Sequence, residues 1–504
     1  MDYLLGIDIG TYESKGTITD ANGVPIVRAA TPHRMHVPRP GWAEHDPLTD
    51  WWGDFCTLSK QLVEQAAQLG VSANQIRAVG CSAIAPCMLP LDRDGMPLRN
   101  AVLYGVDTRA SREIDELNAL YGRDRLMQQC GNALTTQSVG PKILWLKRNE
   151  SDIYAKTAKI VSSTTYLVYR LTGETVLDHY TAASFTPLYD IQSQQWSSTL
   201  ADEVDGGIVD LDRLPKLAWT TDIAGHVTRA AARETGLCEG TPVIAGTADA
   251  SAEAVSVGVL SAGEMMMMYG STLFIIQVTE RAVQDSRLWY APWLFPGLHT
   301  SSSGLATSGT LTVWFRDQFA RDLPADDGFA MLAQEAAQSP PGAKGLIMLP
   351  YLSGERTPIH DPHASGCLLG LNLTHTRGDI YRAMLEGIAN GVRHVLDTYA
   401  EAGATPRRVV AVGGGTKNPL WLQAVSDCSS CPQDVPSTTF GASFGSALLA
   451  GVGVGLLSTD AIPRANPVAK QVIPDVSTRA IYDKQHRIFR ELYVNTKELM
   501  HRLT

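Results

Sequence analysis

No stretch of this sequence comes near the roughly 18 consecutive uncharged apolar residues that a membrane-crossing helix needs, and strand-like sequence starts at Tyr3. We therefore expect neither a membrane span nor a secretory leader, and a cytoplasmic protein. Positive charge is in short supply: 42 Lys and Arg face 52 Asp and Glu, a net charge of -10. That balance argues against general affinity for nucleic acid or anionic membrane, so any bound phosphate has to be met by local groups. Cysteine is sparse. Cys56, Cys81, Cys87, Cys130, Cys238, Cys367, Cys428 and Cys431 are scattered and mostly in apolar contexts, which suits reduced thiols better than a disulfide framework. Cys428 and Cys431 form a CxxC with no second pair nearby to complete a zinc site, so a metal or redox role is not expected. Two phosphate signatures are missing as well: GxxxxGK(S/T), and any GxGxxG that follows a strand and opens a helix. P-loop and Rossmann readings fall with them.

What is present is enough apolar content for large cores. At 504 residues the chain is too long for one of them, and two or more domains are expected. YLLGIDIG, SKGTITD and NGVPIVRAATPHRM alternate apolar runs with turn signals and predict a three-stranded meander. In WWGDFCTLSKQLVEQAAQLG, residues Trp52, Phe55, Leu58, Leu62, Ala66 and Leu69 recur at helical spacing, while Lys60, Glu64 and Gln68 face outward. IRAVGCSAI then reads as a strand. The opening device returns at EMMMMYGSTLFIIQV, residues 264–278, again an apolar strand, a Gly-Ser-Thr turn and a second strand. Two similarly built domains follow from that repeat, with a boundary near residues 246–260. Met265 to Met268 cannot converge on one ion, because adjacent strand residues point to opposite faces, and a strand buried on both sides is the reading they support.

Three segments carry chemistry. In DIGTYESKG, Asp8 ends an apolar strand, where an unpartnered carboxylate is costly. The backbone N–H groups of Gly10 and Thr11, the Thr11 hydroxyl and Lys15 suit phosphate, and a magnesium ion shared with nucleotide phosphates would partner Asp8. A strand-end Asp capping its own turn is the structural alternative. In VIAGTADASAEAV, Asp249 follows a strand among small residues and opens a helical segment; it suits a helix cap, or a base taking the proton of an attacking hydroxyl. In RRVVAVGGGTKNPLWLQAVSD, Gly413, Gly414 and Gly415 leave space for something flat, and Asn418 can donate and accept at a base edge; a tight strand–helix connection explains the glycines equally well. Gly441 and Gly445, at helical spacing, point to close helix packing.

Together these segments resemble the FGGY carbohydrate kinases of the actin, hexokinase and Hsp70-like ATPase superfamily. The resemblance extends through PGWAEHDPLTDWW, LYGVDTR, GPKILWLKRNE, RLTGETVLDHYTAASFTPLYD, GTADASAEAVSVG and LPYLSGERTPIHDPHASG, and through the family's long second signature at GCLLGLNLTHTRGDIYRAMLE, residues 366–386. It implies an α/β fold of two RNase H-like domains, 1–250 and 251–504, each a mixed sheet flanked by helices, closing over a cleft for MgATP and a sugar. By position, it implies magnesium at Asp8 and phosphates at Thr11, Lys15 and the Gly270-Ser271-Thr272 turn. Gly309, Thr310, Gly414, Gly415 and Asn418 would line the nucleotide site. Asp249 falls on the catalytic base, and Asp107 on the carboxylate of the family's W-x-D-x-R segment, which approaches the sugar. Family habit adds a homodimer.

Within the family the chain is most similar to the xylulose kinases, with two departures. Ala85 and Pro86 stand where Met and His meet the sugar in that group, and Ala250 follows the catalytic Asp where Asn or Gln is common. Both remove hydrogen-bonding capacity from the acceptor pocket and put D-xylulose itself in doubt, without touching phosphoryl transfer. The resemblance therefore implies an ATP-dependent kinase of a small sugar or polyol. Its rivals are a kinase of another ketose, polyol or aldonate, and a catalytically silent regulator of the same fold.

Overall fold

A computed structural model describes residues 1–324 and 327–503. The meander forms as the alternation predicts: β1 (Tyr3–Ile9), β2 (Glu13–Asp20) and β3 (Pro25–Pro32) are successive antiparallel neighbours. Helix α1 (Asp54–Gln68) carries the chain back to β4 (Ile76–Ala83), which pairs parallel with β1. Trp51 and Trp52 lie in a wider helical turn, Pro47–Gly53, that Asp46 caps at the Leu48 N–H. Leu69 is a correction to the apolar stripe: it lies past the end of α1 and is 61% exposed.

Strands β5 (Ile223–His226), β6 (Pro242–Ile244) and β7 (Thr247–Ala248) complete a seven-stranded sheet in which β4 is flanked by β1 on one side and by β6 and β7 on the other. β1, β4 and β7 are parallel. Their register sets Asp8 beside Ser82 and Ser82 beside Thr247 in one row across the sheet. Helix α2 (Asp249–Ser256) starts directly beyond β7. Residues between β4 and β5 fold over this edge around a cluster that includes Val139, Ile143, Trp145, Phe185 and Leu188.

The second sheet repeats the plan. β8 (Glu264–Tyr269) and β9 (Leu273–Thr279) form the second hairpin, followed by β10 (Trp289–Pro292) and β11 (His299–Leu305) on the β9 side. Helix α3 (Gly309–Phe319) and the long α4 (Arg377–Glu401) lead to β12 (Arg408–Val412), parallel to β8 as β4 is to β1. Helix α5 (Pro419–Ser429), β13 (Gln433–Pro436), helix α6 (Ala442–Gly453) and β14 (Val468–Val472) finish this half. Met265, Met266 and Met267 are buried, as expected of a strand covered on both faces.

One apolar cluster joins the halves. It combines Leu4, Ala78 and Ile244 of the first sheet with Met266, Ile276 and Val410 of the second, and Phe444, Ala447 and Leu448 of α6 lie among them. Only glycine lets α6 come so close. A Cβ on Gly6 would stand 1.9 Å from the Ser443 carbonyl oxygen, one on Gly80 2.1 Å from that of Ser446, and one on Gly445 1.8 Å from that of Ala252. Gly445 is thus the close helix contact its spacing suggested, between α6 and α2.

In an exposed helix interior, Gly445→Ala would gain up to about 1 kcal/mol from propensity. Here overpacking against the α2 backbone outweighs that gain, and a net loss of about 1–3 kcal/mol is expected. Denaturant unfolding of the variant checks it; unchanged or raised stability would contradict this packing.

Candidate active site

Asp8 lies near the carboxyl end of β1 with 6% exposure. Its Oδ1 accepts a hydrogen bond of 2.8 Å from the Ser82 hydroxyl on β4, and Ser82 in turn meets the Ser446 hydroxyl of α6 at 2.9 Å. Among the described residues no turn N–H reaches Asp8, so it does not cap its own hairpin. Burial raises its pKa to about 6, against the opposing effects of the Ser82 hydrogen bond and the Lys15 charge. Lys15 stands opposite Asp8 in the β1–β2 register. Its ammonium is half-exposed and pairs with Glu13 at 3.0 Å, a surface contact that holds it only weakly.

The Gly10–Thr11 turn differs from expectation in one respect. The Gly10 N–H closes the hairpin on the Glu13 carbonyl at 3.1 Å and is not free for a ligand. The Thr11 hydroxyl meets the Tyr104 hydroxyl at 2.9 Å, which ties this turn to the roof of the neighbouring cavity.

Asp249 is the first residue of α2; the capping position is Ala248. Its Oδ1 accepts the Ala250 N–H at 2.8 Å, and its side chain lines the cavity floor. Burial raises its pKa to about 8, with further contributions from the charges of Asp8 and Glu253. Glu253, one helical turn on, is pushed up to about 7 by burial and by Asp8, with Lys15 opposing. A Cβ on Gly441, at φ +86°, would lie 3.6 Å from Glu253 Oε2 and 4.0 Å from Lys15 Cδ, which sets the start of α6 against both side chains. Residues distant in sequence thus form one acidic cleft at the carboxyl ends of parallel strands. β1 and β7 are separated by β4, roughly 10 Å in all, which leaves room between Asp8 and Asp249. Among the described residues no three His, Cys, Asp or Glu side chains converge tightly enough to hold a metal ion unaided. A cation at Asp8 would need oxygens from a ligand or water to complete its shell, and the Asp8 oxygen that Ser82 does not occupy is available to it.

The cavity beside Asp249 has a volume of about 340 Å³, within the roughly 300–1,000 Å³ common for small-molecule sites. Ala85, Pro86 and Ala250 form part of its wall. Asp107 does not, and this corrects the expectation that it approaches the sugar. It is 1% exposed, accepts the Ala43 N–H at 2.7 Å and pairs with Arg109 at 2.7 Å. Arg109 is itself buried against Trp42, its guanidinium carbon 4.0 Å from the ring centroid. Asp107 therefore anchors the loop whose preceding residues, Tyr104, Gly105 and Val106, do line the cavity. Lys142, 1% exposed, holds the same loop by donating to the Leu103 and Tyr104 carbonyls at 2.6 and 3.1 Å.

Gln137 was not anticipated. Its Oε1 accepts the Gly105 N–H at 3.1 Å, and a Cβ on Gly105 would lie 2.6 Å from its Nε2. With the oxygen pinned, the amide nitrogen is a donor left for the cavity that both residues line. Glu253 was readable from its position four residues after Asp249 on a helix; Gln137 and Ser82 carry no local signal.

In the second half, the Gly270 N–H closes its own turn on the Thr272 carbonyl at 3.0 Å, as Gly10 does in the first. Gly309 and Thr310 brace this turn: the Gly309 N–H donates to the Gly270 carbonyl at 2.9 Å, and the Thr310 N–H and hydroxyl to the Ser271 carbonyl at 3.1 and 3.0 Å. The three consecutive glycines divide their tasks. Gly413, at φ +92°, lies against Tyr269, and a Cβ on Gly415 would meet Trp421 at 2.6 Å, whereas one on Gly414 would meet nothing within 4 Å. Asn418 caps α5, its Oδ1 accepting from the Leu420 and Trp421 N–H groups at 3.1 and 3.2 Å. Its acceptor capacity is spent there, and only the amide nitrogen remains for a ligand. In the CxxC, Cys428 is buried in α5, and burial pushes the Cys431 thiol up to about 11.

The model of the N-terminal domain of the FGGY family of carbohydrate kinases matches residues 3–256, and that of the C-terminal domain residues 265–454. The chain belongs to the FGGY family of carbohydrate kinases. This FGGY kinase is 29% identical to a xylulose kinase of Lactococcus lactis, over 100% of the chain and 99% of the relative. It is 30% identical to an autoinducer-2 kinase of Yersinia pestis, over 98% of the chain and 94% of the relative. Among solved structures, a xylulose kinase from Rhodospirillum rubrum superposes with a TM-score of 0.92 at 29% identity, covering 99% of the chain and 100% of that structure. The fold is accordingly the two-domain, actin-like α/β fold that the sequence led us to expect. No helix among the described residues is long and apolar enough to cross a membrane.

The acidic cleft makes a stability prediction. Asp249 keeps its proton in the folded FGGY kinase up to about pH 8 and loses it near the ordinary carboxylate value when unfolded. Between those limits the folded state binds more protons, so this residue makes stability fall as pH rises. Ligand-free Asp249→Asn should melt above the parent, with a gap that widens from pH 5 to pH 8. A gap that is flat or narrows over that interval would show that Asp249 ionises freely.

Proposed function

We propose that this FGGY kinase transfers the γ-phosphoryl group of MgATP to a hydroxyl of a small sugar or polyol in the cytoplasm, most like the xylulose kinases, with Asp249 as the base. The observation that carries the reading is the strand row that brings Asp8 and Asp249 to one end of the sheet beside the cavity. On this reading residues 1–250 form the acceptor and phosphate lobe, residues 251–504 the nucleotide lobe, and closure of the two excludes water. The homodimer belongs to the proposal on family habit alone.

The residues present fit the nucleotide. Gly414 is open where a flat group could lie, the Thr11 N–H is unused among the described residues, and Lys15 is only loosely paired. Asp8 would hold magnesium, with Thr11, Lys15 and the Gly270–Thr272 turn on phosphate oxygens; Gly309 and Thr310 act by bracing that turn. Bound there, magnesium would supply positive charge against the spread negative charge of the transferring group and against the repulsion between Asp8 and Asp249. Asp249 then accepts the acceptor hydroxyl proton at its carboxylate while Ala250, Ala85 and Pro86 shape the space around it. Tyr104 spans the acceptor cavity and the Thr11 hydroxyl, so it can register the two substrates against each other.

The acceptor need not be D-xylulose. The walls at Ala85, Pro86 and Ala250 offer little hydrogen bonding, and one relative at 30% identity is named for a different acceptor. A coupled ADP-release screen over pentuloses, hexuloses, polyols and aldonates tests the reading. ATP binding with no acceptor-dependent ADP release across that panel would favour a silent regulator.

Two variants sharpen the assignment. Asp249→Ala should keep MgATP binding and lose roughly 10²–10⁴-fold in turnover; near-normal turnover would remove Asp249 from the chemistry. Gly105→Ala, by displacing the Gln137 amide, should raise the acceptor KM roughly three- to tenfold and leave the KM for ATP alone. Equal changes in both would mean the loop, not the amide, had been disturbed.

A further inference from the structure

The turn that carries Thr11 is gripped from behind by two histidines in different charge states. His33, on the chain leaving β3, directs Nε2 at the Gly10 carbonyl (3.0 Å) and Nδ1 at the Asp54 carboxylate of α1 (2.9 Å). Both partners are acceptors, and the Ser14 hydroxyl, 3.3 Å from Nδ1, has the Asp54 carboxylate to donate to, so this geometry is satisfied when both ring nitrogens donate, as in an imidazolium. The Ser14 hydroxyl donates to the same Asp54 oxygen at 2.7 Å. His45 is the opposite case. Its Nδ1 accepts from the Trp51 indole N–H at 3.1 Å, so its Nε2 carries the proton and donates to the Thr11 carbonyl at 3.1 Å: a neutral imidazole. The two rings meet edge to face with centroids 4.9 Å apart, both shielded from solvent.

Peptide planarity converts this grip into direction. In a trans peptide the C=O of one residue and the N–H of the next point opposite ways. Holding the Gly10 and Thr11 carbonyls against the histidines therefore turns the Thr11 and Tyr12 N–H groups to the other side. Among the described residues neither N–H donates within the protein. Two adjacent, unused backbone donors aimed one way form an anion cradle.

We infer that His33, with Asp54, and His45 are positioning residues for phosphoryl transfer, aiming the Thr11 and Tyr12 N–H groups at the phosphate. This rests on the kinase reading. The mixed charge states matter because an imidazolium holds two acceptors and a neutral ring only one. When His33 loses its proton it must release either Gly10 or Asp54, and the cradle loosens. Burial opposes the charge on His33, but Asp54, the Gly10 carbonyl and the nearby Asp50 outweigh it and raise the pKa. The other titratable neighbours are His36, which pairs with Asp50 at 3.2 Å, and His45, lowered to about 4 by burial and by His33.

The test is the dissociation constant of Mg·AMP-PNP from the full chain, measured by calorimetry between pH 5.5 and 9 with no acceptor present. Asp8, Asp249 and Glu253 titrate in the same range, so the readout is the difference between parent and variant. Asp54→Asn keeps an oxygen for His33 but removes the charge that retains its proton. It should shift the alkaline weakening of nucleotide binding down by on the order of one pH unit, with roughly three- to tenfold weaker binding inside the shifted window. His33→Gln, which can serve one carbonyl at any pH, should bind more weakly below neutrality and lose the part of the alkaline limb due to His33. Profiles for both variants parallel to that of the parent would overturn the proposal. A parent that fails to bind Mg·AMP-PNP at any pH would overturn the kinase reading itself, and this inference with it.

Discussion

Three carboxylates that repel one another when ionised, Asp8, Asp249 and Glu253, are held together in one cleft. An ionised carboxylate in such a place costs several kcal/mol unless it is matched. Without a ligand, raised pKa values offset part of that cost: burial raises Asp8 to about 6, and burial with the neighbouring carboxylates raises Glu253 to about 7 and Asp249 to about 8. The same cluster is a receptor for positive charge. Lys15 supplies a little, from a half-exposed position that leaves it free to move, and a phosphate-borne cation fits the remainder. The fold sustains the arrangement through stiff, dry packing behind it. Gly6, Gly80 and Gly445 allow α6 to lie on β1, β4 and α2 at backbone contact distance, and Ser446 reaches Asp8 through Ser82.

The two sheets share one topology and use it differently. Each has a hairpin whose glycine N–H closes the turn, followed by a parallel strand reached through a helix. The first turn is braced by side chains, His33 and His45, and the second by the backbone of Gly309 and Thr310. A turn held by titratable groups can respond to pH; one held by amides cannot. The roof between β4 and β5 supplies Tyr104, Gly105 and Gln137 to the acceptor cavity.

Much of this was legible in the sequence because local chemistry carried it. The meander, the second hairpin, the helix after Asp249 and the close contact at Gly445 follow from alternation, turn residues and helical spacing. Leu69 was misjudged because a helical period says where a stripe runs and not where the helix stops. Other readings are narrowed where another partner competes for the same atom or space. Asp107 reads, through the resemblance, as a carboxylate that approaches the sugar until the Ala43 N–H and the Trp42 ring, far away in sequence, enclose it and Arg109. Asn418 reads as a base-edge contact until its oxygen is seen capping α5, and Gly415 as a ligand wall until Trp421 is packed on it.

By itself, then, the sequence determined the chemical vocabulary: which strands end in carboxylates, which turns lack side chains, and, through a long matching signature, the kinase family. Those features depend on neighbours a few residues away, where spacing and residue type suffice. Tertiary structure alone decided which of the candidate atoms are still free. Register across β1, β4 and β7 brought Asp8 and Asp249 to one end of a sheet, while burial and hydrogen bonding elsewhere used up the Gly10 N–H, both Asp107 oxygens and the Asn418 oxygen. A donor or acceptor can be spent only once, and the partner that claims it is chosen by the packed chain.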